Sequence, residues 1–261
     1  MRVRGELVSA AGLLLGVGVV AAAQVTNGGD LKTLAQPTAM FVVFGGTAAA
    51  LVVSFPWSSL RRALAAAFRA FASSASAPDV LVPTFIRFAQ KSRRDGLMAL
   101  EGEIDSTVDG FLARALSVTV SGLPADLIRQ TLEIDSRSSS DRDEEMAEVF
   151  EAAAGYSPTL GIVGAVIGLM GVMRHLSSAG GLGGGIAAAF VATIYGVGAA
   201  NLIFLPIATR LRVRARVEAL RRELMIDGIL ALHDRLHPTL LEERLTGFLR
   251  SAPDSRQANA A

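Results

Sequence analysis

No cysteine occurs anywhere in this chain of 261 residues, so neither a disulfide framework nor a thiolate metal site can be built from it. Histidine is nearly as scarce, at three residues, and aromatic side chains make up only 6%. Charge is thin as well: Asp, Glu, Lys and Arg together reach 19%, with 25 basic against 24 acidic residues. That near balance argues against a general nucleic-acid binder, whose affinity rests on excess positive charge. What fills the space is apolar, at 51% of residues and a mean hydropathy of +0.44. This is the composition of a membrane protein.

Four windows carry no charge at all: Leu7 to Gly29, Thr33 to Leu60, Ala152 to Met173 and Leu176 to Thr209. Each reaches the roughly 20 residues a helix needs to cross ~30 Å of hydrocarbon. The last is too long for one helix, and Gly180-Gly181-Leu182-Gly183-Gly184-Gly185 is expected to take up its first part as a flexible turn. Arg2 and Arg4 ahead of an apolar run would also suit a signal peptide, but the run is long for one, and Ala21-Ala22-Ala23 leads straight into a second apolar window. The first window therefore reads as a retained helix. The fold expected is an all-α integral membrane protein with transmembrane helices over 5–27, 34–55, 155–177 and 186–209. A helical cytoplasmic domain fills 56–151, and cytoplasmic helices and a tail fill 210–261.

Basic residues set the orientation. The first connection holds only Asp30 and Lys32, and the third only Arg174 and His175, whereas Arg61, Arg62 and Arg69 follow span two and Arg210, Arg212, Arg214 and Arg216 follow span four. Basic residues stay inside, so both termini and the central segment are expected in the cytoplasm. The Arg210 to Arg222 cluster reads as an anchor on anionic headgroups.

The central segment is patterned. Val80, Leu81, Phe85, Phe88 and Ala89 suit one amphipathic helix, and Phe111, Leu112, Ala115, Leu116 and Val118 a second. Between them the run Arg93-Arg94-Asp95-Gly96-Leu97-Met98-Ala99-Leu100-Glu101 breaks at Gly96 and resumes as helix. After Pro124 a long helix either loosens at Ser138-Ser139-Ser140 and restarts with Asp141 as its cap, or continues straight through. No strand pattern stands out. The region from Glu218 to Leu249 reads as helix broken near Pro238, and the residues from Ser251 onward read as a frayed tail.

Enzymatic chemistry finds no footing. Ser121 and Ser157 lack a nucleophile-elbow context, and the glycine-rich run at 180–185 lacks the preceding strand and the Lys-Ser/Thr ending of a phosphate loop. His233 and His237 stand four apart, a spacing that can seat zinc, but no third ligand accompanies them. No cofactor is expected.

The two most informative stretches are Pro158 to Leu169 and Ala189 through Asn201 to Pro206. In the first, Gly161, Gly164, Gly168 and Gly171 line one side of a helix, and small residues let backbones approach closely in lipid. The second carries Thr193, Tyr195 and Asn201 through the same depth, where a polar group needs a partner or a wet path. No charge-free window contains Asp, Glu, Lys, Arg or His, so a titrating group for an ion pathway must come from another chain.

Together with Arg93 to Glu101, these stretches resemble the MotA/PomA family of flagellar-motor stator subunits, within the wider group that includes ExbB and TolQ. The resemblance covers nearly the whole chain, although Leu236-His237-Pro238 stands where the family more often has Gly-x-Asn-Pro. It implies a proton-driven torque generator in the bacterial inner membrane, with five such subunits around two copies of a MotB-type partner. That partner's single span would supply an aspartate, and the ring would push on the rotor protein FliG. By the same resemblance Thr193 and Ala165 line the ion pathway, Pro158 and Pro206 couple ion binding to movement, and Arg93 and Glu101 contact the rotor. Each has a plainer alternative: Thr193 bonded back to residue 189, Pro158 as the first-turn proline that starts span three, Pro206 as a static kink, and the charged pair as a solvated face. An ExbB/TolQ-type energiser of an envelope system shares this helical core, but three spans with an outside N-terminus would be expected there. Sodium-driven relatives carry a threonine at the position of Ala165, so a methyl group here points to protons.

Overall fold

The computed structural model describes residues 2–26, 28–72, 78–174 and 182–251, and among them it contains helices and turns but no strand. In chain order the helices are α1 (Arg2–Thr26), α2 (Pro37–Met40), α3 (Gly46–Ser54), α4 (Trp57–Ala72), α5 (Leu81–Asp95), α6 (Glu101–Ile104), α7 (Gly110–Val120), α8 (Ala125–Arg174), α9 (Leu182–Ala199), α10 (Leu205–His233) and α11 (Pro238–Ser251). A π turn, Phe41–Gly45, joins α2 to α3, and another, Ala200–Phe204, joins α9 to α10. The chain divides into two compact units, one of residues 1–73 with 144–212, the other of residues 74–143 with 213–261.

The first unit holds the apolar helices. Among the described residues three stretches are long and apolar enough to cross a membrane: Leu31–Ser54, Ala125–Met173 and Gly183–His233. The apolar part of α1 found among the described residues is the shorter Leu14–Thr26. Pro37 opens α2 after an extended Gln36, where its missing N–H costs nothing. An extended Phe55 followed by Pro56 stops α3. Alanines of α4 (Ala63, Ala66, Ala67 and Ala70) form a buried cluster with Ala147, Val149 and Phe150 of α8 and Ala208 and Leu211 of α10.

The second unit is a packed helical domain. Phe85 and Phe88 of α5, Leu116 of α7, Ile128 and Leu132 of α8, Leu224 and Ile229 of α10 and Leu241 and Leu245 of α11 are all but fully buried. Phe85 lies over Gly228, where an added methyl would sit 2.6 Å from its ring. The expected amphipathic faces are the buried ones, except that Val118 is half-buried and Val80 ends a 3-10 turn and is 65% exposed. Asp109 caps α7 by accepting from the Phe111 and Leu112 amides, and its other oxygen receives Arg221 at 2.9 Å.

Of the two courses left open after Pro124 the helix takes the continuous one through Ser138–Ser140, whose hydroxyls accept from Arg142 (2.7 and 2.9 Å) and Arg222 (3.2 Å) instead of capping a new helix. Two expectations change. Pro158 consequently lies deep inside the 50-residue α8 and not in a first turn. The run Leu182-Gly183-Gly184-Gly185 is the first turn of α9, not a loop: a methyl at Gly185 would meet Val172 at 2.4 Å, so its bareness serves close helix packing. Gly180 and Gly181 lie outside the described residues, as does the tail beyond Ser251.

Candidate functional site

The glycine stripe of α8 meets α9 backbone to backbone. A methyl built on Gly161 would stand 2.9 Å from the Ala192 carbonyl oxygen and 3.4 Å from the Thr193 Cα. On Gly164 it would meet the Ala192 methyl at 2.9 Å, and on Gly168 the Ala189 backbone at 3.1 Å. Gly196 answers from α9, where a methyl would lie 2.5 Å from the Ser157 carbonyl oxygen and 3.0 Å from the Gly161 Cα. Gly171 departs from the pattern, with nothing within 4 Å of its missing methyl. It borders a cavity of about 410 Å³ walled by α2, α8 and α9, in which Thr38 brings the only hydroxyl among the lining residues.

Thr193 and Ala165 are both half-buried in this region. Ala165 lies one helical turn beyond Gly161, the residue packed against Thr193. The Thr193 hydroxyl reaches the Ala189 carbonyl only at 3.5 Å, the outer limit of a hydrogen bond. The plainer reading of Thr193, a hydroxyl satisfied by its own helix, is therefore weakly met. Asn201 is better satisfied, its Nδ2 donating to the Val197 carbonyl at 2.9 Å. Tyr195 points elsewhere: its hydroxyl donates to the Leu34 carbonyl, and its ring lies 6.3 Å from that of Phe44.

The two prolines are accommodated differently, Pro158 within the continuous α8 and Pro206 just after a π turn. Pro158 deprives the Ala154 carbonyl of its usual donor, and beside it the buried Ser157 hydroxyl donates across to the Gly196 carbonyl at 2.9 Å. Pro206 is the second residue of α10, directly after the π turn in which the Leu205 amide donates to the Ala200 carbonyl, five residues back. The widened turn absorbs the missing N–H. The Ser157 bond was not anticipated, and a hydroxyl beside a proline in a charge-free run was the only local signal.

In the second unit Arg93 and Glu101 are exposed on either side of Gly96, whose φ of +85° makes the break between α5 and the following turn. Arg93 reaches the Arg235 carbonyl at 3.4 Å. Glu103, unremarked in the sequence, fastens α6 to α5 through Lys91 at 2.7 Å and Arg87 at 3.3 Å. The hydrogen bond from Lys91 holds the Glu103 carboxyl below its ordinary pKa, against the opposing effect of burial. Arg94 is engaged with its neighbour Asp95, whose pKa it lowers.

Three arginines of the basic cluster of α10 are paired within the protein. Arg212 meets Glu151 at 2.8 Å, Arg221 meets Asp109 and Glu218, and Arg222 meets Asp143 at 2.7 Å. The acidic stretch ahead of Glu151 thus has partners, including Glu145 with Arg62 and Ser59. Among the described residues no group of three His, Asp or Glu could hold a metal. His233 lies 3.5 Å from Asp234, and His237 accepts from the Thr239 amide at the start of α11.

Residues 103–224 match the MotA/TolQ/ExbB proton channel family and residues 10–96 match the Motility protein A N-terminal family. Motility protein A of Bacillus subtilis is 33% identical over 91% of this chain and 88% of its own length. Chemotaxis protein PomA of Vibrio alginolyticus is 29% identical over 94% and 95%. Among solved structures, a chain of the flagellar MotAB stator complex from Bacillus subtilis superposes with a TM-score of 0.84 at 32% identity, covering 96% of this chain and 98% of that one. A chain of C. jejuni MotAB gives 0.87 at 25% identity, covering 95% and 98%. With both halves matched and the similarity running along nearly its full length, the chain belongs to the MotA/TolQ/ExbB proton channel family, in its Motility protein A group.

Proposed function

We propose that this chain is the ion-conducting stator subunit of a bacterial flagellar motor, using a proton current to drive the rotor. The observation that carries this reading is the α8–α9 seam. Its backbones are in contact, its Thr193 hydroxyl is loosely held, and the apolar windows around it contain no Asp, Glu, Lys, Arg or His. Such a wall conducts only with a carboxylate from a second chain. The solved structures with matching chains are MotAB complexes, and a MotB-type single-span partner with an intramembrane aspartate fits that need. The chain assembles as a homopentamer around a partner dimer.

In this proposal Thr193 and Ala165 line the pathway, Pro158 and Pro206 are the elements that protonation biases, and Arg93 and Glu101 meet the rotor protein FliG. Opposite exposed charges suit a contact made and broken repeatedly, since they steer encounter and register more than they add affinity. Four spans, 5–27, 34–55, 155–177 and 186–209, place residues 56–151 and 210–261 in the cytoplasm with both termini. The match of residues 10–96 to the Motility protein A N-terminal family supports two spans ahead of the cytoplasmic domain.

Protons are the ion because Ala165 offers a methyl where a second hydroxyl would help replace the hydration shell of sodium. The test is rotation of tethered cells at fixed pH, first with sodium replaced by potassium and then with a protonophore added. Rotation should survive the first change and stop on the second. The reverse pattern overturns the proton assignment.

A further inference from the structure

The corner between α10 and α11 holds a residue in a conformation it does not favour. Arg235 has a φ of +53°, and among the described residues it alone takes a positive φ without being glycine. It is the left-handed residue of a Schellman ending. The Leu236 amide donates to the Ala231 carbonyl at 2.9 Å, and the Arg235 amide to the Leu232 carbonyl at 3.0 Å. Glycine or asparagine usually fills that place, because a Cβ in the left-handed region crowds the following carbonyl oxygen. The backbone therefore gives no reason for an arginine.

The corner is held in place within the second unit. Leu236 is half-buried against the core, and Pro238 begins α11, whose Leu241 and Leu245 share one buried cluster with Phe85 and Phe88 of α5. Arg93, in the last turn of α5, donates to the Arg235 carbonyl at 3.4 Å. A carbonyl oxygen stands about 2.4 Å from its own Cα, so the Arg235 Cα lies within about 6 Å of that Arg93 nitrogen. Both side chains are exposed. The carboxylates nearest in the chain are engaged: Asp95 receives Arg94, Glu103 receives Lys91 and Arg87, and Asp234 stands 3.5 Å from His233. Neither Arg93 nor Arg235 takes part in an ion pair found among the described residues.

A guanidinium group has only donors, so two of them cannot satisfy one another. We propose that Arg235 is a second rotor contact, which with Arg93 presents two guanidinium groups from separate elements to a carboxylate-bearing surface of the rotor protein. This rests on the reading of Arg93 as a rotor contact. The strained turn is retained for the charge it carries. The carbonyl of Arg235 steadies Arg93, and its side chain adds a second positive charge beside it. Two like charges on a fixed corner set the register of an encounter more sharply than one and exclude a basic partner surface.

Glycine separates the charge from the fold. Arg235→Gly removes the guanidinium but keeps and relaxes the left-handed turn, so the carbonyl that receives Arg93 stays where it is. The full chain, fluorescently tagged, is expressed with its single-span partner at a low level, where the number of units per motor follows affinity for the rotor. Arg235→Gly should melt no lower than the parent in detergent and reach the membrane at parental levels. It should nevertheless lower the units per motor about two- to fivefold, the scale of one exposed charge contact. Arg235→Lys should lie nearer the parent, and Arg235→Glu below Arg235→Gly. A parental count for Arg235→Gly beside a reduced count for Arg93→Ala would overturn this proposal and leave the Arg93 reading standing. Parental counts for both would overturn the two together. A lower melting temperature for Arg235→Gly would make the side chain part of the fold and overturn the proposal. Equal counts for the Lys, Gly and Glu variants would overturn it as well, since charge would then not be what the rotor meets.

Discussion

At the scale of single residues, the decisive feature is how little room the glycines leave. At Gly196 an added methyl meets a carbonyl oxygen and two Cα atoms, and none of these can rotate away. Gly196→Ala should therefore cost about 1–3 kcal/mol by overpacking. Gly171→Ala, with open space around it, should be neutral or gain up to about 1 kcal/mol from helix propensity. Thermal unfolding of the full chain in detergent checks this: Gly196→Ala should melt lower than the parent and Gly171→Ala no lower. The reverse order would mean that the α8–α9 seam is looser than these distances imply. The exposed pair in the second unit supports a different prediction. Arg93→Glu or Glu101→Lys should sharply reduce swimming without changing membrane insertion or partner association, because neither side chain belongs to the buried core. If cells carrying Arg93→Ala with Glu101→Ala swim normally at parental expression, these residues do not contact the rotor.

At the scale of elements, helices here continue through positions that would usually end them. α8 passes through three serines and a proline, and α9 gives way to α10 through a π turn immediately before Pro206. The π turn and the proline belong together, since widening the turn removes the demand for the N–H that proline lacks. Pro206→Ala restores that donor and allows the Ala200–Phe204 turn to relax to ordinary α geometry, which would rotate the downstream helix by about 100°. The variant should insert and bind its partner at parental levels yet lose rotation in tethered cells. Normal rotation would make the turn a static bend.

At the scale of the whole molecule, the distribution of basic residues predicts a topology that labelling can test. Two ion pairs of the first unit stand where apolar stretches end, Glu145 to Arg62 and Glu151 to Arg212. The native chain contains no cysteine, so single cysteines report position without background. Asp30→Cys should react with an impermeant thiol reagent in intact cells, and Asp105→Cys only after permeabilisation. Labelling of position 105 from outside would rule out the four-span arrangement with both ends inside.

Sequence alone determined the helical class, the break at Gly96, the buried faces around Phe85 and Leu116 and the family, because each depends on local spacing or on a run of neighbouring residues. The same local reading foresaw that small residues would line a helix contact, yet it could not say which glycines are in contact. Gly161, Gly164 and Gly168 are closed by α9 while Gly171 borders a cavity, and that difference depends on where a second helix passes. Tertiary structure also decided against a loop at Leu182–Gly185 and a helix start at Pro158, since tight packing and side-chain acceptors overrode residues that locally favour breaks. It also gave Arg212, Arg221 and Arg222 of α10 carboxylate partners far away in sequence. Charge pairs of this kind have no period to read, because a guanidinium selects its partner by proximity, which arises only once the helices have packed.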